Sequence, residues 1–144
     1  MDYRNAFAIS ASGMSVEKLR LDVTAVNLAN IHSGKRADGT LFQPMQVVST
    51  EAAANFSTEF EQMAGAQLHG AQVAGVEATP VTPRMVYQPG NPDADEKGFV
   101  AEPGVNQVTE MVNMASALRA YEANVVAMNA AKTMALKALE LGGT

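Results

Sequence analysis

The chain has 144 residues, 47% of them hydrophobic, with ten bases against fifteen acids and no cysteine. That length and apolar content fit one ordinary folded domain and exclude wholesale disorder. A net charge of −5 without a basic cluster argues against nucleic acid, the absent cysteines remove disulfides and thiolate chemistry, and no apolar run nears the roughly 18 residues of a membrane-spanning helix.

The opening MDYRNAFAIS mixes charges and lacks an uninterrupted apolar stretch, so a cleaved signal peptide is not expected. Residues 1–31 read as helix. Ile9, Val16, Leu19, Val23 and Val26 form one stripe, and Phe7, Met14, Leu21 and Leu28, seven apart, form another. At about 100° per residue the two lie on roughly opposite sides. A monomeric surface helix needs one apolar face, so the second stripe is an expected contact with other subunits. Asn30 with Ser33-Gly34 fits a helix C-terminus at which the glycine takes a left-handed conformation. Asn27 lies beside the Val23/Val26 stripe, where its amide is suited to fixing the register of packed helices.

The middle, residues 32–104, holds four bases against nine acids and so carries the whole net charge. All six prolines and eight of the eleven glycines fall there. It reads as a punctuated acidic insertion between two neutral, proline-free ends. Short strands are expected at 42–48, 73–78, 84–87 and 98–101, with turns at 89–92 and 95–98. Residues 51–72, rich in Ala, Gln and Glu, read as a helix-tolerant or mobile excursion.

In residues 105–144, Met111, Met114, Leu118, Tyr121, Val125, Met128, Lys132, Ala135 and Leu139 recur at alternating spacings of three and four. That is a coiled-coil seam interrupted by Lys132, with Asn124 and Asn129 adding amides. A helix over most of this segment measures about 50 Å, longer than the roughly 35–40 Å diameter of a compact chain of this size. The expected fold is therefore mainly α with a small β insertion. Residues 1–31 and 105–144 pair as one discontinuous helical unit, and 32–104 form a small β-rich outer lobe. Phe7, Met14, Leu21, Leu28, Asn27, Asn30, Met111, Leu118, Tyr121, Asn124, Val125 and Met128 are the candidate subunit-interface residues.

Chemistry is hard to find. Asn91 to Gly98 has the outline of a calcium loop, but Lys97 and Gly104 fall where ligands five and twelve belong. His32 and His69 have no neighbouring ligand at helical spacing, and Ser10, Ser12 and Ser15 have no base at a recognisable offset. No catalytic, cofactor or metal site and no small-molecule substrate is expected. An acid–base enzyme using Asp93, Asp95 or His32 would need a carboxyl of raised pKa in a cleft. A soluble helical adaptor would stay monomeric or dimeric at high concentration.

Ala8 to Met14 (AISASGM) and Asp22 to Asn30 (DVTAVNLAN) resemble the N-terminal signature of the flagellar rod and hook axial proteins. Arg84 to Asp95 (RMVYQPGNPDAD), Val105 to Asn113 (VNQVTEMVN) and Tyr121 to Met134 (YEANVVAMNAAKTM) narrow the resemblance to the proximal rod, over residues 1–50 and 73–142. His32-Ser33-Gly34 departs from the family's more usual threonine-bearing turn. The resemblance implies a structural, non-enzymatic rod subunit that transmits torque in the periplasmic part of the basal body. It implies type III export without a cleaved signal, and FliE, the export gate and MS ring, FlgB, FlgF, FlgG and further copies of itself as neighbours. Another axial subunit, FlgB-like or of the distal rod, is the nearest alternative.

Overall fold

The computed structural model describes residues 3–52 and 69–142. Helix α1 runs over Tyr3–Ala29 and helix α2 over Gln107–Gly142. Between them lie β1 (Met45–Glu51), β2 (Ala71–Ala78), β3 (Arg84–Tyr87) and β4 (Phe99–Glu102). β1 pairs antiparallel with β2, with Val47 opposite Val76, and β3 with β4, with Tyr87 opposite Phe99. The two pairs are separate sheets. The architecture is thus two paired helices with a small β region, as the composition of the three segments predicts.

Local chemistry sets the boundaries. The Asn106 side chain accepts the Thr109 amide at 3.1 Å, capping α2, and Glu110 in the first turn meets the positive end of the helix. At the end of α1 the Asn30 amide donates to the Val26 carbonyl at 2.8 Å and the Ser33 hydroxyl to the Asn30 carbonyl at 2.9 Å. Side chains therefore satisfy the last carbonyls, and Gly34 does not take the expected left-handed conformation. Among the described residues only Gly39 and Gly98 have positive φ. β1 starts at Met45 rather than at 42 because Pro44 offers no ladder donor and Phe42 turns into the core. β3 matches its expected span, and β4 begins one residue late because Gly98, at φ +80°, belongs to the preceding turn. Of the 51–72 excursion, residues 53–68 lie outside the described residues, while Glu51, Ala71 and Gln72 are paired in strands.

The two helices run antiparallel. Asn27 meets Glu110 at 2.9 Å, and a Cβ built on Gly13 would lie 2.8 Å from the Asn124 oxygen. From Asn27 to Gly13 and from Glu110 to Asn124 is fourteen residues each, in opposite senses. The α2 residues turned inward are Met114, Ala117, Tyr121, Asn124, Met128, Ala131 and Ala135. Half of the expected seam is therefore present, and the other half is displaced by one residue. Ala117 is 4% exposed while Leu118 is 47% exposed, and Ala131 is buried while Lys132 is exposed. Small side chains let the helix axes approach, so size rather than hydrophobicity selects between neighbouring positions.

Helix α1 lies against α2 on one side and against β1 and β2 on another. Val16 and Val23 are buried, and Phe7, Met14, Leu21 and Leu28 are each half-buried. Leu28 packs with Met45 against the Ile31, Phe42 and Val105 cluster. The expectation of a wholly unpartnered second stripe on α1 is corrected accordingly: the chain covers part of both stripes. The apolar surplus sits on α2.

The Gly13–Asn124 contact makes a double-mutant test. In an Asn124→Ala background, Gly13→Ala should raise stability by about 0.5–1 kcal/mol, the ordinary helical gain of Ala over Gly. With Asn124 present the added methyl meets its amide and that gain should vanish. Urea unfolding of the four variants checks both arms.

Candidate assembly surface

Three polar junctions hold the insertion against the helices. At the first, the Asn27 oxygen accepts the Met45 amide at 2.9 Å, and its Nδ2 donates to the Met45 carbonyl at 2.8 Å and to Glu110 Oε2 at 2.9 Å. The side-chain amide thereby acts as a strand partner for the first residue of β1 while gripping α2. Asn27 is 2% exposed, so it lies inside the chain and not on a surface between subunits. Its interface assignment is corrected for that reason. The Asn30 and Asn124 amides likewise bond to their own helices, at Val26 and Ala120.

The second junction joins β3 and β4 to the segment after α1. The Glu102 carboxylate, its side chain 7% exposed, accepts from Arg84 at 2.6 Å, His32 at 3.2 Å and Gln88 at 3.3 Å. The Arg84 hydrogen bond, helped by His32, holds its pKa below the usual glutamate value, against the opposing effect of burial. The third junction stitches β1 and β2 to α1. Ser12 accepts the Ala71 amide at 3.1 Å, and Arg20 donates to Ser49 at 3.0 Å while pairing with Glu17.

Two of the groups that an enzyme reading would need, His32 and Asp95, are engaged structurally. His32 serves Glu102, and Asp95 accepts the Lys97 and Phe99 amides to shape the turn. The Asn91 side chain accepts the Asp93 amide. Among the described residues no cluster of three metal-ligating side chains exists, and no helix is long and apolar enough to cross a membrane.

What remains open is apolar surface. Val108, Met111, Val112, Leu118 and Val126 are all exposed along α2, the last at 67%. On the β3–β4 pair Met85 and Tyr87 are exposed, and the Tyr87 and Phe99 rings meet edge to face at 5.3 Å. Of the candidate interface residues, Met111 and Leu118 are thus exposed. Phe7, Met14, Leu21, Leu28, Asn30, Tyr121, Asn124, Val125 and Met128 are half-buried. Val108, Val112 and Val126 escaped the periodicity argument because they lie outside the seam. The available signal was that valines of this segment fall outside the seam as well as within it.

Comparison with known proteins places this architecture. Residues 96–141 match the family model described as the C-terminal region of the flagellar basal body rod FlgEFG proteins. The chain is 41% identical over 142 residues to the flagellar basal-body rod protein FlgC of Yersinia enterocolitica, covering 99% of both chains. It is 43% identical to FlgC of Escherichia coli O6:H1, covering 96% of both, and 36% identical to FlgC of Bacillus subtilis, covering 93% of this chain and 94% of that one.

The Glu102 junction has a defined pH signature. A carboxyl with a depressed folded-state pKa contributes stability that is present above its unfolded value, about 4.3, and is lost as pH falls through the lower folded value. Stability measured from about pH 6 down to pH 2 should show that acid limb. Glu102→Gln should be less stable at neutral pH and should have a flatter acid limb.

Proposed function

The chain belongs to the FlgC family of flagellar basal-body rod proteins, and from that premise we propose that it is a structural subunit of the proximal rod. The single observation that carries this reading is similarity to FlgC over almost the entire chain. The apolar face of α2 supplies the physical reason to assemble. Each large side chain on that face gains about 1.5–3 kcal/mol when a neighbour covers it.

On this reading the terminal helices, within 1–31 and 105–144, form the assembly unit, and 32–104 faces outward. Met111 and Leu118, with Val108, Val112 and Val126, meet neighbouring subunits. The half-buried Phe7, Met14 and Leu21 contribute at the margins. The neighbours are other copies, FlgB, FlgF, FlgG, FliE and the export gate and MS ring, in the periplasmic part of the basal body. Delivery is by type III export without a cleaved signal, and the role is transmission of torque without catalysis.

The direct test is complementation. Expressed in a bacterium lacking its own FlgC, the chain should restore motility and be recovered in purified basal bodies. Val112→Asp with Val126→Asp should leave monomer stability within about 0.5 kcal/mol, as exposed substitutions do, yet abolish incorporation. Normal incorporation of that double variant would remove α2's outer face from the interface.

A further inference from the structure

Asp38-Gly39 is the only place in the sequence where an aspartate or asparagine precedes glycine. Such a pair carries a latent reaction, because glycine has no Cβ to keep its nitrogen away from the preceding carboxyl. Both residues are exposed in the segment between α1 and β1, and a Cβ built on Gly39 would meet nothing within 4 Å. The turn nevertheless ties up both reactants. The Gly39 amide donates to the Arg36 carbonyl at 2.9 Å, and the Arg36 amide donates to the Thr40 carbonyl at 2.9 Å. Asp38 Oδ1 accepts the Thr40 hydroxyl at 2.6 Å and the Thr40 amide at 2.9 Å. These two bonds, the hydroxyl's first, hold the Asp38 carboxyl below the usual aspartate value. It therefore stays ionised, which is the weaker electrophile.

The turn at Asp95 offers a comparison within the same chain. Its carboxylate accepts the Lys97 and Phe99 amides in a similar way, but the next residue is Glu96, whose side chain crowds the nitrogen. We propose that Asp38-Gly39 is a site of spontaneous isoaspartate formation, restrained in the folded chain by the Thr40 ties and released when they open. The Gly39 nitrogen bonds to Asp38 Cγ, and one carboxyl oxygen leaves as water with the amide proton and a proton from solvent. The product is a cyclic succinimide. Water then adds to the main-chain carbonyl of Asp38, whose bond to the Gly39 nitrogen breaks, so the backbone now runs through Cβ and Cγ. Water is the only co-reactant, and nothing is oxidised or reduced. The lengthened main chain takes Arg36 and Thr40 out of register and re-spaces the segment that leads to Phe42 in the Ile31 and Val105 cluster.

Ageing of the purified full chain tests it. Samples are held at neutral pH, folded or unfolded in guanidinium, and mapped by mass spectrometry after digestion with an endoproteinase that cuts before aspartate but not before isoaspartate. Isoaspartate should accumulate at residue 38, and about tenfold or more faster in the unfolded chain, which has lost two or three turn hydrogen bonds. In the folded chain Thr40→Val should raise the rate by about two- to tenfold, the worth of the hydroxyl tie, and Thr40→Ser should restore the slow rate. Thr40 is exposed, so neither substitution threatens the fold, and an unchanged circular-dichroism spectrum checks this. Asp38→Glu, whose longer side chain forms the corresponding ring poorly, should remove the signal. Equal rates in folded and unfolded chains would overturn the restraint, as would a Thr40→Val rate no higher than that of Thr40→Ser. Isoaspartate confined to other positions, or a signal that survives Asp38→Glu, would overturn the site.

Discussion

The Asn27 amide is the point at which α1, β1 and α2 are fixed to one another. Its oxygen and nitrogen pair with both backbone groups of Met45, and the remaining N–H reaches Glu110. Buried at 2% exposure, this group has no water to fall back on. Loss of any one partner therefore leaves a desolvated polar atom, at a cost of about 1–3 kcal/mol. A greasy residue of similar size would fill the space without specifying where β1 begins or which turn of α2 faces it. Register along the helix pair follows from this one contact, and the Gly13–Asn124 approach fourteen residues away agrees with it.

Given that register, the helix interface is narrow and made of small residues. Ala117 and Ala131 are buried where leucine or lysine stands one position later. Close approach of the axes leaves the larger side chains outside, on the face turned away from α1. The same choice that makes the pair tight leaves large apolar side chains on its exterior. Among the described residues no buried side-chain polar atom lacks a partner, while several large apolar side chains of α2 stay uncovered.

Much of this was legible in the chain. Helical periodicity and the absence of proline located both helices, and alternating β-formers bounded by Pro, Gly and Asp located three of the four strands to within a residue or two. Phase and partnership were not legible. Both Leu118 and Ala117 satisfy an apolar pattern, and only the distance between helix axes decides which one faces inward. Asn27 read as an amide meant for a neighbour because its partners lie 18 and 83 residues away. Nothing local announces such a bond. The Glu102 junction was hidden for the same reason: His32 and Arg84 reach it across 70 and 18 residues.

The pairing of the two ends of the chain also dictates when the molecule can fold. Gly13 and Asn124 are 111 residues apart in sequence, and loop closure over such a span precedes most of the burial that offsets it. A chain synthesised N-terminus first presents α1 long before its partner arrives. Until then Asn27 lacks Glu110, and α1 has only β1 and β2 to pack against. The paired-helix unit is therefore completed only when the last quarter of the polypeptide is available.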